Sequence, residues 1–126
     1  MEGEENSGKR IAQAAQMACL LEVSAPKPGN VNRLHDFADL RFEDFLLSAV
    51  AIGPAMGAAG KSSVGQTVLR AIQDTRRVVS TNTNLGIVLL LAPLAKAAAQ
   101  LESSLSRTSD PQKRLVKLRN ELGKIL

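Results

Sequence analysis

The stretch Leu85-Gly-Ile-Val-Leu-Leu-Leu-Ala-Pro-Leu-Ala95 is a leucine-rich apolar run of 11 residues closed by Lys96. A membrane span needs about 20 such residues. The run therefore reads as the interior helix of a globular fold, over about 84–101. Leucine and alanine fill it, and both are strong helix formers, whereas strands favour aromatic and β-branched residues. The polar Ser80-Thr-Asn-Thr-Asn84 ahead of it offers several N-caps.

Working outward, residues 64–79 carry a stripe of Val64, Val68, Ala71, Ile72, Thr75 and Val79, with Arg70, Arg76 and Arg77 off it. Residues 60–63 read as a turn. A helix from Leu40–Phe42 to about Ala59 groups Phe42, Phe45, Leu46, Ala49 and Val50 on one face, and Gly53-Pro54 can kink it. Residues 9–24 form a helix that is apolar nearly all round, so it is expected to be central and mostly buried. Residues 1–8 read as a frayed acidic end. Beyond the polar linker 103–111, Asp110-Pro111 supplies an N-cap and an N1 proline for a helix over 111–126. Its seam is Leu115, Leu118, Leu122 and Ile125. No repeat and no strand-like alternation is seen. The pattern predicts an all-α bundle of about five helices with two central apolar helices. It is one domain over 1–126, with a core at 9–101 and a linker plus amphipathic helix at 102–126. The unmatched last seam predicts a partner or further chain, so the sequence reads as the N-terminal part of a longer domain.

With 126 residues, 44% of them apolar, the chain can bury one core. Three Phe and no Trp or Tyr leave no stacking platform for single strands, and the basic excess is partly a property of the tail, where it reads as a solvated face. No nucleic-acid partner is expected. The lone Cys19 reads as a small buried hydrophobe, and one Cys with one His cannot build a zinc site. The acidic N-terminus lacks the basic region of a secretory signal. A cytoplasmic protein without a membrane span is expected.

Chemistry-bearing residues lie in the inserts. In Glu22-Val-Ser-Ala-Pro-Lys-Pro-Gly-Asn-Val31, two prolines stiffen the backbone around Lys27, and Gly29 allows close approach. Lys27 reads either as a phosphate ligand or as a solvated loop lysine. Glu22 reads as an acid/base group or Mg²⁺ ligand, or as a paired helix-end carboxylate. Asn82 and Asn84 bind ribose hydroxyls or phosphate at a helix N-terminus, or simply cap it. Gly86 permits ligand approach or helix packing. Asp36 and Asp39, in a loop long for a compact domain (25–41), hold a metal or, more commonly, are solvated. Arg33 and Arg41 are secondary phosphate candidates, and His35 is a loop residue. Ser48 is expected to bond its i−4 carbonyl.

Taken together, Glu22, Pro26-Lys-Pro-Gly-Asn-Val31, Asp36, Phe45, Ser48 and Asn82-Thr-Asn-Leu-Gly86 resemble the triphosphoribosyl-dephospho-CoA synthase family, over about residues 9–100. The resemblance implies an all-α transferase that moves the 5-triphosphoribosyl group of ATP to the 2′-hydroxyl of 3′-dephospho-CoA, or of a related acceptor, and releases adenine. It implies substrate or phosphate contacts by Lys27, Gly29, Asn30, Arg33, Asn82, Thr83, Asn84 and Gly86. It implies catalytic and metal roles for Glu22 and Asp36, with Mg²⁺ on the triphosphate. Displacement at C1′ develops oxocarbenium-like charge that a carboxylate stabilises. Triphosphate oxygens need cations. Classical members carry Asn-Thr-His-Lys-Gly where this chain has Asn82-Thr-Asn-Leu-Gly86, and Gly-Leu-Val-Asp where it has Gly29-Asn-Val-Asn32, so it resembles a divergent branch. The alternative is an inactive helical fragment or interaction module, with an open seam on the last helix. Exposed helix faces would support oligomers.

Overall fold

The computed structural model describes residues 2–26, 41–105 and 107–126. It consists of α1 (Glu2–Ser24), α2 (Phe42–Ala51), α3 (Gly53–Gly57), a 3-10 turn (Ala59–Lys61), α4 (Val64–Arg76), α5 (Leu85–Leu105) and α6 (Pro111–Ile125). The protein is all-α, with no strand among the described residues. The expected break at Gly53-Pro54 splits one anticipated helix into α2 and α3. Proline at the start of α3 has no N–H to bond back into α2.

Three boundaries differ from the sequence reading. The acidic end is helix, not frayed. Glu2, Glu4 and Glu5 occupy the first turn of α1, where the helix dipole favours negative charge. Helix α4 ends at Arg76, three residues early, yet Val79 still donates its N–H to the Thr75 carbonyl at 2.9 Å and stays buried. Helix α5 runs on to Leu105, past its expected end near 101.

The core is built mainly from small side chains. Ala15, Ala49, Ala55, Ala59, Ala71, Ala92 and Ala95 surround Ile52, Met56 and Val88. Small side chains let helix backbones approach closely, so the core works without aromatic bulk. Helix α1 contributes Ser7, Ile11, Ala15, Cys19 and Val23, a regular four-residue spacing that makes one buried stripe. Its other face is open, with Met17 and Leu21 61% and 66% exposed, so α1 is central but not mostly buried. Helix α5 buries Val88, Ala92 and Ala95 while Leu89 and Leu90 are exposed. On α2 the buried line is Ser48, Ala49 and Ile52 beyond it. Val50 lies about 100° around the helix from Ala49 and faces out.

Helix α1 packs antiparallel to the α2–α3 pair. Near its start, Gly8 meets Gly57, and a Cβ on Gly8 would lie 2.8 Å from the Gly57 carbonyl oxygen. Two turns later, Gln16 donates its side-chain amide to the Val50 carbonyl at 2.9 Å. Arg10 of α1 pairs with Glu102 near the end of α5, which brings the start of one helix to the end of the other.

The window Leu85–Glu102 has a mean hydropathy of 1.5 and is long and apolar enough to cross a membrane by composition alone, which an uninterrupted run of 11 did not suggest. The helix also makes polar contacts in the bundle. Lys96 donates to the Ser62 carbonyl at 2.7 Å, and Glu102 meets Arg10. Helix α6 starts as expected, with the Asp110 carboxylate accepting from the Gln112 N–H at 3.0 Å. It packs on α5, and Leu118, Leu122 and Ile125 are half-buried there. Only Leu115 of the expected seam is exposed.

Candidate functional site

Helices α4 and α5 meet through the polar segment before α5. The Asn82 side-chain oxygen accepts from the Leu85 N–H at 3.1 Å, and the Asn84 carbonyl accepts from the Val88 N–H at 2.9 Å. Asn82 thus satisfies the start of α5 through its side chain, which is the capping reading, whereas the Asn84 bond is a main-chain one that any residue would make. Asn84 does more. It is buried, and its amide donates to the Thr75 hydroxyl on α4 at 3.0 Å. Thr75 in turn donates to the Ala71 carbonyl at 2.8 Å. Thr83 turns to the other side and shares a hydrogen bond with Ser48 of α2. Ser48 donates to the Asp44 carbonyl at 2.6 Å, the expected i−4 bond. The contact to Thr83 was not anticipated. Gly86 lies in the first turn of α5, and a Cβ there would meet nothing within 4 Å. Helix packing therefore does not require this glycine.

Glu22 is exposed in the last turn of α1. The antiparallel register that puts Gln16 at Val50 carries Glu22 to the end of the bundle where α2 begins. The same end holds the Ser48–Thr83 contact. Pro26 and Arg41, the described residues flanking the loop, follow α1 and precede α2 here. Arg41 donates its backbone N–H to the Asp44 carboxylate at 3.0 Å, which fixes the start of α2. Lys27, Gly29, Asn30, Arg33, His35, Asp36 and Asp39 lie outside the described residues. Of the site residues expected, Asn82, Thr83, Asn84 and Gly86 are contiguous, and Glu22 shares their end of the bundle.

A cavity of about 110 Å³ opens beside this segment, lined by Ile72, Thr75, Arg76, Thr81, Asn82, Asn84 and Leu85. It is smaller than the roughly 300–1,000 Å³ of a pocket for a whole ligand. It can seat one group of a larger molecule. Arg76 at its edge is a cation that the sequence reading left on the outer face of α4. Arg70 and Arg77 flank Asp74 at 3.8 and 3.3 Å, whereas Arg76 makes no ion pair among the described residues. Its position in the last turn, next to the Asn-Thr-Asn segment, was the available signal.

Two larger hollows, about 600 and 890 Å³, flank the N-terminal part of α1 at the other end of the bundle. They are broad grooves over Gly8 and Gly57, and charges there pair with one another, Lys61 with Glu4 at 3.7 Å and Arg10 with Glu102. The polar convergence at Asn82–Asn84 outweighs their size as a mark of function. Cys19 is inert at neutral pH. Burial, helped by the Glu22 carboxylate one turn on, pushes its thiol up to about 11. Among the described residues no three metal-ligating side chains cluster.

The chain matches the CitG family model, ATP:dephospho-CoA triphosphoribosyl transferase, over residues 8–125. It belongs to that family. The match runs through α6, beyond the 9–100 stretch that carries the motifs. No curated protein and no solved structure matches the chain.

Proposed function

We propose that the protein is a triphosphoribosyl transferase, moving the 5-triphosphoribosyl group of ATP to the 2′-hydroxyl of 3′-dephospho-CoA or a related acceptor. The acceptor oxygen bonds to C1′ as the bond from C1′ to the adenine nitrogen breaks, and adenine leaves. The observation that carries this reading is the gathering of family-motif residues at one end of the bundle. Asn82, Thr83 and Asn84 are held between α2 and α4, and α1 brings Glu22 to the same end. Membership of the family over residues 8–125 supports it.

In this reading Asn82, Thr83, Asn84 and Gly86 contact the nucleotide, with Lys27, Gly29, Asn30 and Arg33 at the triphosphate. Glu22 and Asp36 face C1′ or a metal. A carboxylate at C1′ stabilises the developing positive charge or accepts the proton of the attacking hydroxyl. Mg²⁺ is the cation that triphosphate chemistry calls for, and its assignment rests on the resemblance alone. The cytoplasm is the expected compartment, with small molecules rather than nucleic acid or membrane as partners. Self-association through the exposed apolar faces of α1 and α5 belongs to the same reading.

Calorimetric titration of the chain with Mg²⁺–ATP, with Lys27→Ala alongside, tests the nucleotide site. Saturable binding lost in the variant is expected. A folded chain that binds no ATP would contradict the reading. The interaction-module alternative needs an open seam on α6, and three of its four residues already pack on α5.

A further inference from the structure

Five hydroxyl and amide groups at the candidate site have orientations that their partners dictate. Carbonyl oxygens only accept, so Ser48 commits its single proton to Asp44 and Thr75 commits its own to Ala71. Each is then a pure acceptor towards the segment before α5. Thr83 must donate to Ser48, and Asn84 must present its amide nitrogen to Thr75. The Leu85 N–H likewise requires the oxygen of Asn82, which turns the Asn82 amide nitrogen outward. No side-chain flip satisfies all these partners at once.

We propose that Ser48 and Thr75 are positioning residues that set the hydrogen-bond polarity of Asn82-Thr83-Asn84. The inference rests on the nucleotide-binding reading and deepens it. With its proton committed to Ser48, Thr83 offers a ligand only lone pairs. The group it accepts from is a donor, and in ATP the donors are the sugar hydroxyls and the adenine amine, not the phosphoryl oxygens. Thr83 therefore excludes phosphate, and of the two ligand groups that the sequence left open for this segment the ribose is the one it fits. Neither Ser48 nor Thr75 needs to touch the ligand. Ser48 is 1% exposed and Thr75 is 2% exposed.

Two arms test this on the intact chain, with Ser48→Ala, Thr75→Val and Thr75→Ser. The first needs no ligand. Amide hydrogen exchange at Leu85 and Val88 is expected to quicken about tenfold or more in Ser48→Ala and Thr75→Val, because each loses a tie of the order of one hydrogen bond, while Thr75→Ser keeps its hydroxyl and stays near wild type. Unchanged exchange in both Ala and Val variants overturns the positioning role. The second arm titrates Mg²⁺–ATP and Mg²⁺–tripolyphosphate, which lacks the sugar. Ser48→Ala and Thr75→Val are expected to weaken ATP about tenfold and to leave tripolyphosphate within about twofold, with Thr75→Ser restoring ATP affinity. Equal weakening of both ligands, or none, overturns the ribose assignment. A wild-type chain that binds neither ligand refutes the nucleotide reading and the ribose assignment with it, while the exchange arm still decides the positioning role.

Discussion

Asn84 is the residue on which the α4–α5 junction turns. Its amide is the donor that the buried Thr75 hydroxyl accepts. Asn84→Ala leaves that acceptor without its partner and is expected to cost about 1–3 kcal/mol, read from the urea midpoint at unchanged slope. Cys19 gives a test of the opposite kind. Its folded thiol titrates near 11, well above the ordinary value of 9.0. The neutral thiol fits the core and the thiolate does not. This contribution to stability is complete below pH 9 and is lost as pH rises from 9 through 11. Native protein at pH 8 should resist maleimide until it is unfolded, and labelling at the rate of a free thiol would refute the buried placement. Cys19 was legible from its apolar neighbours, and Asn82 and Asn84 from their place before an apolar run. The bonds of Thr75 and Ser48 across to this segment were not legible. Each reads locally as one member of a helix stripe, and only the fold brings the partner from another helix.

Helix contacts carry the next set of expectations. Replacing glycine by alanine inside a helix ordinarily gains up to about 1 kcal/mol in propensity. At Gly8 the new Cβ would sit 2.8 Å from the Gly57 carbonyl oxygen, and backbone cannot rotate away as a side chain can. Overpacking of this kind costs about 1–3 kcal/mol, so Gly8→Ala is expected to lower the melting temperature. At Gly65, by contrast, a Cβ meets nothing within 4 Å. Gly65→Ala at that exposed position of α4 is expected to stabilise by up to about 1 kcal/mol. An increase in melting temperature for both variants would contradict the close α1–α3 approach. Helix α6 depends on its cap. Asp110→Ala is expected to cost about 1 kcal/mol, seen first as faster amide exchange in the first turn of α6.

At the scale of the whole molecule, the all-α class and the order of helices follow from leucine and alanine periodicity broken by proline, glycine and asparagine. Periodicity does not tell how much of an apolar face is covered. Helices α1 and α5 were both legible as central, yet Met17, Leu21, Leu89 and Leu90 remain open to solvent. The site divides in the same way. Its motif residues were legible because Pro-Lys-Pro-Gly and Asn-Thr-Asn exceed what turns and caps require. The bundle end that Glu22 shares with Asn82, Thr83 and Asn84 depends on antiparallel registers such as Gly8 with Gly57 and Gln16 with Val50, which no local pattern encodes. The measurement closest to the central claim is adenine release from Mg²⁺–ATP, followed by chromatography with and without 3′-dephospho-CoA, for wild type and Glu22→Gln. The account expects adenine to appear only with the acceptor, in step with a triphosphoribosylated product, and to fall at least about a hundredfold in the variant, the usual scale for a lost acid–base group. ATP that is bound but yields no adenine with this acceptor, or adenine release undiminished in Glu22→Gln, would contradict it.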